Sequence, residues 1–324
     1  MKKAGLLSAI ISATIGAILI FSMSAFTQSQ GSVSEEFHQT YSLGAGGRVS
    51  LNNINGSVRV TAWDRDEVQV DAVKWAHSQE RLAEVKIIVD VTANGIRIKT
   101  EYPSSSTTWT DDEDRRHRNP ATVEYTLSVP RAARIDSIEL VNGDLDIEGL
   151  SGEVRGSSIN GRVTAKHLTG EVKLSTVNGL LEASFDRLYE SRPVSLSSVN
   201  GQVEVILPSD ADAALKAGTV HGGISNDIGL PVKRGRHVGR SLAGVMGGGN
   251  ARVDLSNVNG GINIRRAEDG RQPSSVINTL PGRGDRDRDH NDLDESADDQ
   301  REAERAVREI ERAIQETERA QRRP

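Results

Sequence analysis

Between residues 143 and 179 the hydrophobic pattern is punctuated by a glycine at every ninth position: Gly143, Gly152, Gly161, Gly170 and Gly179. Counting from each glycine, apolar residues fall at positions two, four and seven. They are Leu145, Ile147 and Leu150 in the first interval, and Val172, Leu174 and Val177 in the fourth. Polar residues such as Asp144, Asp146, Glu153, Arg155, Glu171 and Lys173 alternate with them, so each interval reads as a short half-buried strand closed by a turn. The residue before the glycine runs Asn142, Ser151, Asn160, Thr169, Asn178, which makes the true period eighteen residues. A unit this short cannot bury its apolar face alone and must stack on copies of itself. The pattern therefore predicts an all-β chain folded as a flattened two-sheet β-solenoid of about 18-residue coils. Ile147, Gly156, Ala165, Leu174 and Ala183, all at position four, are expected to share one inner column.

Beyond Gly179 the spacing loosens through Asn200-Gly201, a degenerate Val220-His221-Gly222, and Asn259-Gly260, while an earlier copy, Ile54-Asn55-Gly56, precedes the series. The segments Phe185 to Pro193 and 229–250 read as loops leaving the stack. The recurring turn residues are Asn142, Gly143, Gly152, Asn160, Gly161, Gly170, Asn178, Gly179, Asn200, Gly201, Asn259 and Gly260. Their role is read as structural, because Asn tolerates left-handed turn geometry and stacked amides satisfy turn groups from coil to coil.

The repeats occupy residues 131–266, and the flanks differ from them. Residues 33–130 form an N-terminal β-strand region, in which Val58 to Trp63 and Val68 to Val73 alternate at the strand period. Lys86 to Val91 and Ile96 to Lys99 flank Asn94-Gly95, which predicts a tight hairpin, and the polar stretch from Tyr102 to Pro120 reads as a surface loop. Residues 267–296 are charged and proline-punctuated, the composition of a flexible linker. Residues 297–322 repeat Ala303, Val307, Ile310, Ile314 and Thr317 at four-three spacing, with Glu304–Arg308 and Glu318–Arg322 as supporting pairs. That is an amphipathic helix with a weak seam, expected to need a partner helix from another copy or another envelope protein.

At the other end, Lys2 and Lys3 precede an apolar run from Ala4 to Phe21 and then small polar residues, so residues 1–25 read as an export signal. The run is eighteen residues long, and its length and flanks fit both a cleaved signal peptide and a retained signal-anchor. The chain is expected to be exported to the periplasm or cell surface, and membrane-anchored if the segment is kept.

Composition sharpens this picture in three places. Aromatic residues make up 3% of the chain, so the core must be filled by aliphatic side chains, which suits stacked coils. A formal net charge of −6 gives no electrostatic footprint for nucleic acid. Cys 0 excludes disulfides, thiol chemistry and a cysteine-linked lipid anchor.

Candidate chemistry is thin. Calcium-binding nonapeptides need Gly-Gly-x-Gly-x-Asp in successive turns, and carboxylates do not recur that way here. Asp285, Asp287 and Asp289 imitate an EF-hand opening, but His290 stands where Gly is required. Asp111 to Asp114 with His117 is an acidic cluster beside two arginines, and Arg283-Gly284-Asp285 falls within a run of alternating charge. His167 and His221 lack a serine in a nucleophile turn, and Gly247-Gly248-Gly249-Asn250 lacks the Lys-Ser/Thr ending of a phosphate loop. Trp63, Trp75 and Trp109 are read as local core rather than a sugar platform. No catalytic, cofactor-binding or metal-ligating residue is assigned, and no cofactor is expected.

The run from Thr61 to Val70, the segment Glu124 to Arg131 and the repeated Val-Asn-Gly units together resemble a bacterial family of exported β-strand-repeat proteins grouped as adhesins. The resemblance covers about residues 45–265. It implies a β-solenoid in a cell-envelope setting, without an assigned biochemical activity. The expectation is a non-catalytic envelope binding or scaffold protein, adhesin-like, acting through its solenoid surface on an envelope protein or surface ligand. Two alternatives stay open: a polysaccharide-active β-solenoid enzyme, and a regulatory partner of membrane signalling proteins.

Overall fold

The computed structural model describes residues 32–102, 121–235 and 238–280. The export segment, most of the stretch after Tyr102, the acidic cluster at 111–114 and residues 297–322 lie outside the described residues.

The chain opens with β1 (Val33–Ser42), β2 (Arg48–Asn55), β3 (Val58–Trp63) and β4 (Glu67–Ala76). A short helix α1 (Gln79–Glu84) leads to β5 (Lys86–Thr92), β6 (Gly95–Glu101) and β7 (Thr122–Pro130). The repeats then supply strand pairs: β8 (Arg134–Asn142) with β9 (Leu145–Glu148), β10 (Val154–Asn160) with β11 (Val163–Leu168), and β12 (Val172–Asn178) with β13 (Leu181–Phe185). They continue as β14 (Val194–Asn200) with β15 (Val203–Leu207), and β16 (Ala213–His221) with β17 (Ile224–Asn226). After β18 (Lys233–Arg234) and β19 (Arg240–Met246), a last pair β20 (Ala251–Asn259) and β21 (Ile262–Arg266) precedes β22 (Val276–Asn278).

Among the described residues these strands make a 10-stranded sheet, here sheet A, and a 12-stranded sheet, sheet B. The two halves of each eighteen-residue unit go to different sheets. Asn-Gly turns carry the chain from sheet B to sheet A, and the turns at Gly152 and Gly170 carry it back. Pairing within the stack is parallel and in register, Val154 opposite Val172 opposite Val194 in sheet B, and Val163 opposite Leu181 opposite Val203 in sheet A. Val154, Val163 and Val172 are all buried between the sheets.

The position-four residues do not form one column. Sheet B stacks Ile138, Gly156, Leu174, Leu196 and Leu255, while sheet A stacks Ile147, Ala165, Ala183, Val205 and Ile264. Large and small residues therefore face each other across the core. A Cβ on Gly156 would come within 2.7 Å of Leu145 Cδ2, so this glycine makes room for the opposite sheet. Position seven also divides: Leu150 and Leu168 are buried, but Ile159 and Val177 lie on the outer face of sheet B.

The turn glycines are required by proximity. A Cβ on Gly161 would sit 2.0 Å from the carbonyl oxygen of Gly143, and one on Gly179 would sit 2.1 Å from that of Gly161. The backbone ladder continues round this corner, Gly161 N–H donating to Asn178 O at 3.1 Å and Gly179 N–H to Asn200 O at 3.0 Å. The asparagines do not adopt left-handed geometry, since His167 (φ 56) is the one non-glycine residue at positive φ among the described residues.

Coil order in space departs from chain order at both ends. The pair β2–β3 lies between β6–β7 and β8–β9, and the late pair β20–β21 lies between β14–β15 and β16–β17. Antiparallel strands cover the outermost coils, β4 and β1 on sheet A and β5 and β19 on sheet B. The β5–β6 hairpin pairs Thr92 with Gly95, so Ala93 and Asn94 form its tip and Gly95 begins the returning strand. Helix α1, capped by Ser78, buries Leu82 at the N-terminal end. At the C-terminal end Ile228 and Leu230 are buried, and the Asn226 amide bonds both backbone groups of Leu230. Segment 229–250 is thus an end plug with two strands, where a loop leaving the stack is expected from sequence. The shorter insertion after Phe185 does leave the strands, but Arg192 pins it to the turn carbonyls of Ser151 and Thr169. Residues 267–280 run back along the stack, with Ala267 N–H donating to Leu207 O and β22 pairing β19.

Gly161→Ala should cost about 2–4 kcal/mol, because the methyl meets backbone that has nowhere to move. Gly218→Ala, whose Cβ would have nothing within 4 Å, should leave stability within about 0.5 kcal/mol. Urea unfolding of the two variants beside the parent checks this. Equal midpoints for both would remove close approach as the reason for the glycine spacing.

Candidate functional site

The Asn-Gly edge carries a continuous amide rail. Asn142 Nδ2 donates to Asn55 Oδ1 at 3.0 Å, Asn160 to Asn142 at 3.0 Å and Asn178 to Asn160 at 2.8 Å. Asn200 donates to Asn178 at 3.0 Å and Asn259 to Asn200 at 2.9 Å. The rail connects side chains to one another, whereas the turn carbonyls are satisfied by an inner row. Ser158, Thr176 and Asn257 donate to the carbonyls of Gly143, Gly161 and Gly201 at 2.9, 3.1 and 2.7 Å. His221 takes the asparagine position beside Asn259. At the other end the Tyr102 hydroxyl lies beside the backbone of Asn55, accepting its N–H at 3.3 Å and placed 3.2 Å from Asn53 Oδ1 and 3.1 Å from Asn55 O, which share its one proton. Burial raises the Tyr102 phenol well above its ordinary pKa, and it pushes neighbouring Tyr125, bonded to Thr100 at 2.7 Å, up to about 12.

All twelve turn residues singled out in the sequence therefore lie on the stack's two edges. The asparagines with Gly143, Gly161, Gly179, Gly201 and Gly260 occupy one edge, and Gly152 and Gly170 the other. Beside the first edge, on the outer face of sheet B, stands a column of branched aliphatic residues: Val141, Ile159, Val177, Val199, Val258 and Val220, with Ile54 preceding them. Each is half-buried. Next to it runs a hydroxyl column of Ser157, Ser175, Ser197 and Ser256. Neighbouring strands are about 4.8 Å apart, so the same groups recur at that interval along the face.

The outer face of sheet A has a different chemistry. It is built from ion pairs, Arg265–Glu204 at 3.1 Å, Lys166–Glu182 at 3.7 Å and Arg59–Asp146 at 3.9 Å. Trp75 is exposed on this sheet, outside the core expected for it, while Trp63 is half-buried and donates its indole N–H to Glu67 O.

The aliphatic column is the feature that sequence reasoning missed. Its signal was present as the Val or Ile before every Asn-Gly of the repeats. Residues at position seven were assigned one direction, although alternate half-coils point that position opposite ways.

Three further places carry polar clusters. An open concavity of about 700 Å³ lies between the Gly44–Gly47 loop and the Ala93–Asn94 turn, lined by Arg48, Arg97, Asp90 and Asp136. Its cations face carboxylates, Arg48 to Asp136 at 3.6 Å and Arg97 opposite Asp90 across the strands. His167 Nδ1 lies 2.9 Å from Asp186 Oδ1, and the Ser184 hydroxyl accepts the His167 backbone N–H at 3.2 Å. Here Lys166 and His167 oppose Ser184, a bulge whose left-handed member is His167. The serine thus bonds backbone, in an exposed setting. Last, the Gly247–Gly249 turn holds the chain's own anion. The Asp212 carboxylate accepts the Asn250 backbone N–H at 3.1 Å and its Nδ2 at 2.7 Å. Among the described residues no three acidic or histidine side chains are placed to share a metal ion.

Residues 89–265 match the Toastrack DUF4097 family model, and the chain belongs to that family. Among solved structures it is similar to a putative cell adhesion protein from Clostridium sporogenes, with 13% identity and TM-score 0.40, covering 72% of this chain and 100% of that one. It is also similar to a putative adhesin from Bacteroides fragilis (13% identity, TM-score 0.31, 72% and 97% covered). A third is a putative lipid binding protein from Parabacteroides distasonis (9% identity, TM-score 0.27, 72% and 97% covered). Comparison with curated proteins gave no match.

The bonds from Asn250, then those from Gly249 and Gly248, hold the Asp212 carboxyl below its ordinary pKa. A depressed folded-state value adds stability that is present above the unfolded aspartate pKa and is lost as pH falls through the folded one. Asp212→Asn should therefore lower the melting temperature at neutral pH and flatten its fall below about pH 4. Parallel melting curves of parent and variant across pH 2–7, on the order of the usual carboxylate range, would contradict this.

Proposed function

We propose that the protein is a non-catalytic binding or scaffold protein of the cell envelope, adhesin-like in mode, which acts through the outer face of sheet B. The observation that carries this reading is the aliphatic column with its serine neighbours and bordering amide rail. One face offers a branched aliphatic group at a fixed interval over seven strands from Ile54 to Val220, followed by an asparagine on six of them and accompanied by a serine hydroxyl on four. Such a surface recognises an extended ligand by summing weak identical contacts, where an enclosed pocket selects a small molecule. Binding of this kind fits an exported chain, which the N-terminal segment predicts.

Sedimentation with isolated cell envelopes tests the reading. Val177→Lys with Val199→Lys should reduce the bound fraction at least tenfold, while Thr164→Lys on the outer face of sheet A leaves it unchanged. Both variants should melt as the parent does, because the altered side chains point outward and a lysine stem can lie along the face. If the sheet B variant binds as the parent does, the surface is misassigned. The same preparation should release no reducing ends from envelope polysaccharide. Turnover abolished by Asp186→Asn would replace this reading with the catalytic one.

A further inference from the structure

We propose that the chain's own C-terminal segment, residues 297–322, lies across the outer face of sheet B with its apolar seam on the aliphatic column. The first argument is where the described chain ends. β22 runs antiparallel to β19, and β19 antiparallel to β16, so β22 points the same way as β16. Asn278 is opposite Gly244 and Gly244 opposite Leu215, which places Leu280 level with Ala217, three positions short of Val220. The chain therefore leaves the described residues on sheet B, heading toward the row that holds the aliphatic column.

The second argument is reach. Sixteen residues, 281–296, separate that point from the segment. They span up to about 50 Å extended and about 20–25 Å as a flexible coil. Seven strands at about 4.8 Å make the column about 29 Å long. A helix from Ala303 to Thr317 is about 21 Å long, so the seam fits within the column.

The third argument is chemical fit. From Ala303 the segment forms three heptads whose fourth residues are Ala306, Ala313 and Ala320. With Val307, Ile310 and Ile314 they make a shallow face, suited to close approach to a flat sheet that already supplies branched side chains. Glutamates border this face, Glu302, Glu309 and Glu316 on one side and Glu304, Glu311 and Glu318 on the other. Four residues before the seven column members stand three basic residues, Arg155, Lys173 and Lys216, three serines, Ser50, Ser137 and Ser195, and Asp254, with Arg155 also paired to Glu153 and Glu171 and Asp254 to Arg252.

Cysteine pairs test the docking directly in the full chain, which has Cys 0. Val177→Cys with Ile310→Cys joins the middle of the column to the middle of the seam, and Thr164→Cys with Ile310→Cys is the sheet A control. On mild oxidation of dilute protein the first pair should close within one chain at least ten times faster than the control. Equal or absent closure in both pairs overturns the proposal, and so does closure mainly between chains, which would make a second copy the occupant.

An independent variant leaves the strand body untouched. Ile310→Glu with Ile314→Glu should speed tryptic cleavage between Arg305 and Arg312 at least tenfold while the strand body melts as before. Unchanged cleavage overturns the proposal. Neither readout involves an envelope ligand, so failure of tail docking and failure of envelope binding are separate results.

Discussion

The stack depends on how closely the α-carbon of each turn glycine approaches the carbonyl of the glycine one coil away. At 2.0 Å from a hypothetical Cβ on Gly161, the Gly143 oxygen leaves no space for any side chain. That approach keeps adjacent corners as near as adjacent strands, so the hydrogen-bond ladder passes through the turn from Asn178 O to Gly161 N without a break. Once corners and strands share one spacing, residues separated by a full coil must stand over one another. The amide rail, the inner hydroxyl row and the buried columns all follow from this. A bulkier residue at one corner would also pull apart the asparagines beside it.

The two faces differ because the period is eighteen residues and not nine. Each half-coil returns to the same sheet, so a preference in one half accumulates on one face. On sheet A the charged residues form cross-strand pairs that are individually worth little in water, while on sheet B charged residues such as Arg155, Lys173 and Asp254 share the face with the aliphatic column. Valine, serine and asparagine collect on sheet B, where repetition gives them collective weight. Sheet A offers a neutralised, well-solvated surface. Sheet B offers a ruled apolar one.

Much of this could be read from the chain. The glycine spacing located the turns, and the Val-Asn-Gly units with the Thr61–Val70 and Glu124–Arg131 segments led to the family to which the chain belongs. The assignment of side chains to faces was harder, because position seven is inward at Leu150 and Leu168 but outward at Ile159 and Val177. Strand alternation depends on where each strand begins, and the two turn types begin their strands at different offsets. The role of asparagine was also displaced. Its place in the repeat suggested backbone conformation, while its bonds in the fold are to other asparagines. Segment 229–250 carries no repeat signal, since β19 runs antiparallel and its partners are set by the end of the stack and not by the period.

The interleaving of the last coils has a consequence for how the molecule is completed. β16 and β17 find their parallel neighbours only in β20 and β21, which arrive later in the chain and enter between them and β14–β15. Growth by addition of successive coils, the simplest route for a repeat protein, therefore stops after Leu207. The coil from Ala213 to Asn226 must wait at a distance until residues as far as Arg266 are available. For a chain delivered from its N-terminus, most of the stack can form while the C-terminal third is still in transit. The final closure is then a slower, non-local event of the kind that loop-closure entropy penalises. The interval before closure leaves the edges of β14 and β15 open, and those are the longest parallel edges the growing molecule presents to other chains.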